Sequence, residues 1–230
     1  QWLDHSPELV VDQRSCHGET SPSRRSHSAC QHLPCPHKVR ASKKQLLIER
    51  LQEERLAVVT QAVTKGIAAN VLLRASCVPW VNRIPAHWDS GNIRRFAAMK
   101  TGHTPSRAEP EYWEGCDIPW FTLADVWQIR DESITYLGDT KEKISGLGLA
   151  NSAAELLPAG TVVLSRTASV GYSGVMPVAM ATSQDFWNWV PGERLVSEYL
   201  LLQFRAMRQE FERLTMGSLI KPYTRVMQQV

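Results

Sequence analysis

The sequence predicts a mixed α+β protein: a compact domain of short strands and helices, preceded by a projecting helix of coiled-coil type. Three observations carry this. Residues 42–65 repeat apolar side chains at near-heptad spacing, with Ile48, Leu51, Val58 and Ala62 on one stripe. Residues 161–164, Thr-Val-Val-Leu, form a short β-branched and apolar run behind the Pro158/Gly160 turn, as a buried strand does. Leu200, Phe204, Met207, Phe211 and Leu214 recur at helical spacing further along.

Residues 1–41 are rich in Ser, His, Pro, Arg and Cys and show no apolar period, which reads as a disordered or foreign extension. Cys16, His17, His27, Cys30, His32, Cys35 and His37 fall within it, but no CxxC pair is present, and no metal site is predicted. The helix 42–65 opens with Ser42 and Gln45 at capping-box spacing and closes at Gly66. A lone amphipathic helix is marginal in water, so it needs a partner face. Residues 66–82 have the composition of a linker, and 83–230 hold the domain. There Trp88, Ile118, Trp120 and Phe121 are core candidates. Leu123–Val126 is long enough for one helical turn, and 134–137 for a short extended element. Tyr172–Val178 returns as the second strand of a hairpin with 161–164. Ser197 is placed to cap the last helix and Gly217 to end it.

The chain of 230 residues carries a formal net charge of +3. Residues 1–65 hold 10 Lys/Arg against 7 Asp/Glu, and the remainder is balanced at 16 against 16. Two local segments are basic, 83–107 and 205–225, and their convergence would make a phosphate-binding face. An odd count of five cysteines, without framework spacing, fits a reducing compartment. No signal peptide and no membrane-length apolar run is visible, so a cytoplasmic location is expected.

Several chemistries are excluded. An S-adenosylmethionine enzyme needs a Gly-rich cofactor loop and an Asn/Asp-Pro-Pro-aromatic motif, and neither occurs. Asp139, Lys141, Glu142 and Lys143 alternate as on a charged loop rather than clustering for metal-assisted hydrolysis. Ser165 and Ser169 lack a nucleophile elbow, and no histidine follows His103. Gly146-Leu147-Gly148 has no preceding strong strand and no third glycine, so it is not a phosphate loop. Neither catalytic residues nor cofactors are expected.

The stretch 156–192, LLPAGTVVLSRTASVGYSGVMPVAMATSQDFWNWVPG, resembles the target recognition domain of type I restriction-modification specificity subunits. The likeness rests on its Pro-Ala-Gly turn, Ser-Arg-Thr turn and Thr-x-Gln-Asp-Phe segment. IPAHWDSGNIRRFAAMKTGHTPS (84–106) is similar to that domain's entry, and LQEERLAVVTQAVTKG (51–66) to the end of the conserved spacer helix. GSLIKPYTRV (217–226) is similar to the segment that closes the domain near DNA, with Leu219 in place of the usual Thr and Pro222 directly after Lys221.

This resemblance implies a non-catalytic DNA-reading subunit. It would direct methyltransferase and restriction subunits to a bipartite target in double-stranded DNA, and the spacer helix would dock partners. Ile48, Leu51, Val58 and Ala62 would form that partner face, which also allows a homodimer. The resemblance covers 42–226, one helix end and one recognition domain against two of each in a full subunit, so a truncated or half-sized protein is expected. Residues in polar turns with groups suited to phosphates or base edges are the candidate DNA contacts. These are Lys100, Thr101, His103, Thr104, Arg107, Arg166, Thr167, Ser169, Lys221, Tyr223, Thr224 and Arg225. Three other readings stay open: a helix-mediated protein-interaction module, a non-functional remnant, and an unrecognised enzyme.

Overall fold

A computed structural model of the chain describes the backbone of residues 36–78, 80–167, 169–215 and 225–228, and side chains from 43 to 211 within those ranges. By internal contacts the chain divides into Gln1–Lys44 and Gln45–Val230. The opening helix α1 runs Pro36–Lys65 and thus begins six residues before the expected Ser42. Nothing in 36–41 opposes a helix once Pro36 occupies its first turn, where a missing N–H costs nothing.

Short strands follow: β1 (Leu73–Ala75), β2 (Arg83–Pro85), β3 (Asp89–Asn92), β4 (Ala97–Thr101), β5 (Ile118–Phe121) and β6 (Glu142–Ile144). After the one-turn helix α2 (Gly146–Ala150) come β7 (Val162–Ser165), β8 (Ser173–Val175), β9 (Ala181–Thr182) and β10 (Phe186–Pro191). Helices α3 (Ser197–Ala206) and α4 (Arg208–Thr215) and strand β11 (Arg225–Gln228) complete the chain.

The centre is an antiparallel sheet in the order β4-β10-β7-β8. Its strand β7 is buried at all four residues. Val162 and Leu164 pack with Trp189, Leu200, Phe204 and Phe211 on one face, while Val163 packs with Phe121, Ile129 and Phe186 on the other. Covered faces on both sides explain why the sequence reads as a continuous apolar run rather than an alternation. A three-stranded sheet, β6-β5-β9, lies alongside, with β5 and β9 parallel. The expected 161–164/172–178 hairpin is the β7–β8 pair. The 134–137 segment is a single parallel bridge, Tyr136 to Val175.

Two expectations are corrected. Residues 66–82 are not a free linker: β1 pairs with β2, and Val78 and Val81 are buried with Ile84 and Trp88. The expected projecting helix is present and is anchored at its C-terminal end. Its side chains are exposed from Lys43 to Arg55, but Val63 and Thr64 are buried. Tyr199 Oη donates to Val63 O at 3.1 Å, and Arg55 donates to the Glu132 carbonyl. Ser197 does not cap α3; Val196 holds that position, and Ser197 Oγ donates instead to Gly160 O at 2.7 Å. The apolar stripe is real, with Leu200, Phe204, Met207 and Phe211 all buried. Two helices carry it, because Met207 at φ −88°, ψ 0° breaks the run. Leu214's side chain and Gly217 lie outside the described residues, as do the cysteine–histidine positions Cys16 to Cys35 and the His37 side chain. Among the described residues no group of three or more His, Cys, Asp or Glu could hold a metal ion.

Candidate nucleic-acid interface

Strand register decides which turns meet. β10 runs antiparallel to both neighbours: Trp187 faces Thr101 of β4, and Phe186 faces Ser165 of β7. The end of β4, the end of β7 and the start of β10 therefore share one edge of the sheet. The turn at 102–107, the turn at 166–172 and the loop 183–185 all emerge there.

The loop 183–185 links the other two. On the β4 side, His103 N donates to Thr182 O at 3.0 Å, and Thr104 Oγ1 donates to Gln184 Oε1 at 2.7 Å. On the β7 side, Arg166 N donates to Asp185 O at 3.0 Å, and Thr167 Oγ1 donates to Asp185 Oδ1 at 2.8 Å. Asp185 Oδ2 accepts from Ser183 Oγ at 2.9 Å. Behind the loop, buried Asn188 donates through Nδ2 to Thr182 Oγ1 at 2.7 Å. Glycine is required at 102: a Cβ there would lie 2.2 Å from both Thr182 O and Thr182 Oγ1. That close approach lets the 102–107 turn reach the loop.

Six of the expected contacts thus sit on one edge: Thr101, His103, Thr104, Arg166, Thr167 and Ser169. Thr101, His103 and Thr167 are exposed, the other three half-buried. Ser169 takes φ +56°, the left-handed turn conformation, and its carbonyl accepts from Tyr172 N at 3.3 Å. The Arg166 guanidinium lies 6.0 Å from the Trp187 ring centroid, and among the described residues no carboxylate pairs with it.

The other cations differ. Lys100 Nζ is 2.7 Å from Glu155 Oε2. Arg107 is 2.5 Å from Glu142 Oε2 and stacks 3.7 Å from the Trp113 ring centroid. Both cations are engaged before any ligand arrives. Arg225 enters β11 opposite Asn92, upstream of β4 and away from the loop edge. Lys221, Tyr223 and Thr224 lie outside the described residues. Of the expected partner face, Ile48, Leu51 and Val58 are exposed at 49%, 55% and 68%, and Ala62 is half-buried.

Sequence reasoning did not list Ser183, Gln184 or Asp185 among the site residues. The string Thr182-Ser183-Gln184-Asp185-Phe186 held the signal, but the partners that give it a role are 80 and 18 residues away in the chain.

A family model, the type I restriction modification DNA specificity domain, matches residues 85–225. The chain is 31% identical over 125 residues to the type I restriction enzyme MjaIX specificity subunit of Methanocaldococcus jannaschii, covering 54% of this chain and 28% of that protein. It is 30% identical over 88 residues to the EcoprrI specificity subunit of Escherichia coli, covering 38% and 20%. The chain thus spans less than a third of the length of either relative. Two solved structures share the fold. One is the HsdS subunit from Thermoanaerobacter tengcongensis, with TM-score 0.51, 16% identity, 84% of this chain and 42% of that one covered. The other comes from work on assembly of a type I R-M system, with TM-score 0.50, 18% identity and coverages of 84% and 45%. With more than half of its residues matched by the family model, and with the mixed α+β fold of those structures, this chain belongs to the type I restriction modification DNA specificity domain family.

Proposed function

We propose that this chain reads a sequence in duplex DNA as the specificity component of a type I restriction-modification complex and performs no catalysis itself. The observation that carries the proposal is the convergence of three polar turns on one sheet edge, locked together around the loop 183–185. An accessible, rigid polar edge suits base readout, because hydrogen-bonding groups must be held in place before the base arrives. Arg166 contributes positive charge there and, among the described residues, forms no ion pair. Lys100 and Arg107 reach DNA only by giving up Glu155 and Glu142, so their net contribution to phosphate binding is smaller. Thr101, His103, Thr104, Thr167 and Ser169 supply short hydrogen-bonding groups, and Lys221, Tyr223, Thr224 and Arg225 belong to the closing segment. Methyltransferase and restriction subunits are the partners, within the cytoplasm.

Binding of a labelled duplex across a salt series tests this, with wild type and the variants Arg166→Ala, Arg107→Ala, Lys100→Ala and Arg225→Ala. Affinity should fall steeply with salt, as counterion release requires. Absence of binding at low salt, or indifference to all four substitutions, would sink the reading. A protein-interaction module would then take its place, favoured by the exposed Leu46, Leu47, Ile48, Leu51 and Val58 on α1.

A further inference from the structure

We infer that Glu132 is a positioning residue that ties the placement of α1 to the turn at 166–172, so that the helix regulates the reading of DNA. That control rests on the DNA-reading proposal above. Arginines from three helices converge on the short corner that follows Ile129. Arg55 of α1 donates to the Glu132 carbonyl, Arg205 of α3 donates to the Ile134 carbonyl, and Arg208 of α4 donates to Glu132 Oε1 at 2.9 Å. The corner is also braced from within, since Asp131 Oδ1 accepts from Ser133 N at 2.9 Å and from Ser133 Oγ at 2.8 Å. Glu132 itself takes φ +57°, a conformation that favours glycine. Keeping a side chain at such a position costs backbone energy, and what offsets it is the carboxylate's pair with Arg208.

The second half of the link runs from Arg208 to the sheet edge. The Arg208 guanidinium lies 5.4 Å from the Tyr172 ring centroid. The aliphatic part of the same side chain packs close to Gly171: a Cβ at that glycine would meet Arg208 Cγ and Phe211 Cδ2 at 3.2 Å each. Gly171 N donates to Ser165 O at 3.0 Å, and Tyr172 N donates to Ser169 O at 3.3 Å. These two residues therefore shape the turn that carries Arg166, Thr167 and Ser169. Glu132 holds α1 by its carbonyl and, through Arg208, the base of that turn by its carboxylate. A shift of α1 that releases Arg55 frees the corner, and the corner frees Arg208. Linkage makes the coupling reciprocal, so DNA held at the turn tightens the corner on α1.

Amide hydrogen exchange of the full chain, read at Gly171 and Tyr172, tests the link beside duplex binding across a salt series. The variants are Arg55→Ala, Arg55→Lys, Glu132→Ala and the double variant Arg55→Ala with Glu132→Ala. Arg55→Ala should speed exchange at Gly171 and Tyr172 by about 2- to 30-fold and leave the amides of β4 as in wild type. Duplex affinity should fall by a similar factor with the salt slope unchanged, because Arg55 then acts on the turn and not on a phosphate. Arg55→Lys keeps a donor for the carbonyl and should restore both. Glu132→Ala should loosen the turn at least as much, and the double variant should match it, since the link is already cut. A merely structural Glu132 would instead give additive losses spread over the whole domain. Unchanged exchange at Gly171 and Tyr172 in Arg55→Ala, or equal acceleration at every amide, overturns the link whether or not DNA binds. Faster exchange at the turn with wild-type duplex affinity overturns the regulation. No duplex binding by wild type at low salt overturns the DNA reading and the regulation with it, while exchange still decides the link. If Glu132→Ala does not fold, the two single Arg55 variants decide alone.

Discussion

On the β4 flank of the loop 183–185, Lys100 and Arg107 each face a carboxylate, at 2.7 and 2.5 Å. On the β7 flank, the Arg166 guanidinium lies 6.0 Å from the Trp187 ring centroid, and among the described residues it pairs with no carboxylate. The sequence shows a more basic segment at 83–107 than around 166, so charge counting would assign DNA attraction to the first flank. Ion pairing changes that count, since Lys100 and Arg107 are paired and Arg166, among the described residues, is not. A cation that already has a partner contributes little new attraction, because an exposed pair stabilises by only about 0–1 kcal/mol and must be exchanged for another. Both flanks hold the loop, the β4 flank through the close approach of Gly102 and through His103 and Thr104, the β7 flank through Arg166 N and Thr167. The β7 flank is the side with charge to spare.

The sharpest way to break this division is Gly102→Ala. A Cβ placed 2.2 Å from Thr182 O must push the flank and the loop apart. A loss of roughly 3 kcal/mol in unfolding free energy is expected from such overpacking, measured by urea denaturation. DNA discrimination should fall with it. Ordinary stability in this variant would mean that the flank does not hold the loop.

Next in size is Arg166→Ala. Affinity should drop by about 1–3 kcal/mol if the guanidinium reads a guanine, with specificity relaxed at one position. If it meets a phosphate instead, the salt slope should flatten by about one. Thermal stability should stay near that of wild type in either case.

Arg107→Ala should do the opposite. It removes an exposed ion pair and a stacking contact on Trp113, for about 1 kcal/mol of stability. The DNA salt slope should scarcely change. Equal effects of Arg107→Ala and Arg166→Ala on binding would erase the distinction between the flanks.

Tyr199→Phe, at a side chain that contacts Trp88 and Val63, is the smallest effect and the control. It deletes the hydrogen bond to Val63 O, worth about 1 kcal/mol or less. Burial pushes the Tyr199 hydroxyl up to about 12 from an ordinary 10.0. The folded state therefore keeps this proton longer than the unfolded chain does. Its contribution is full below pH 10.0 and is lost as pH rises toward about 12. Stability curves against alkaline pH should show that decline in wild type and lack it in Tyr199→Phe, with DNA binding unchanged.

What could be read from the sequence was local and periodic. The β7–β8 hairpin announced itself through Pro158, Gly160 and the β-branched and apolar run 161–164. The α3–α4 stripe announced itself through the i, i+4, i+7 spacing of Leu200, Phe204 and Met207. The break at Met207 stayed hidden because Met207 keeps its place on the apolar stripe. The β1–β2 pair was hidden too, since strands of three residues are too short to show a period. For the site, the polar turns were legible as turns, and the resemblance supplied their meaning. Their assembly was not legible. The Lys100–Glu155 and Arg107–Glu142 pairs join residues 55 and 35 apart, and nothing in either segment names the other. Gln184 was passed over for the same reason.

The close packing of Gly102 on Thr182 has a consequence for anyone seeking to retarget this domain. Gly102, Thr182 and Asp185 form a frame that holds the turn 102–107 and the turn after β7 to the loop 183–185. A library that randomises the whole Thr-Ser-Gln-Asp-Phe string would spend nearly all its members on broken frames. Varying exposed positions such as Thr101, His103 and Thr167, and leaving Gly102, Thr182 and Asp185 alone, confines diversity to the surface of that edge.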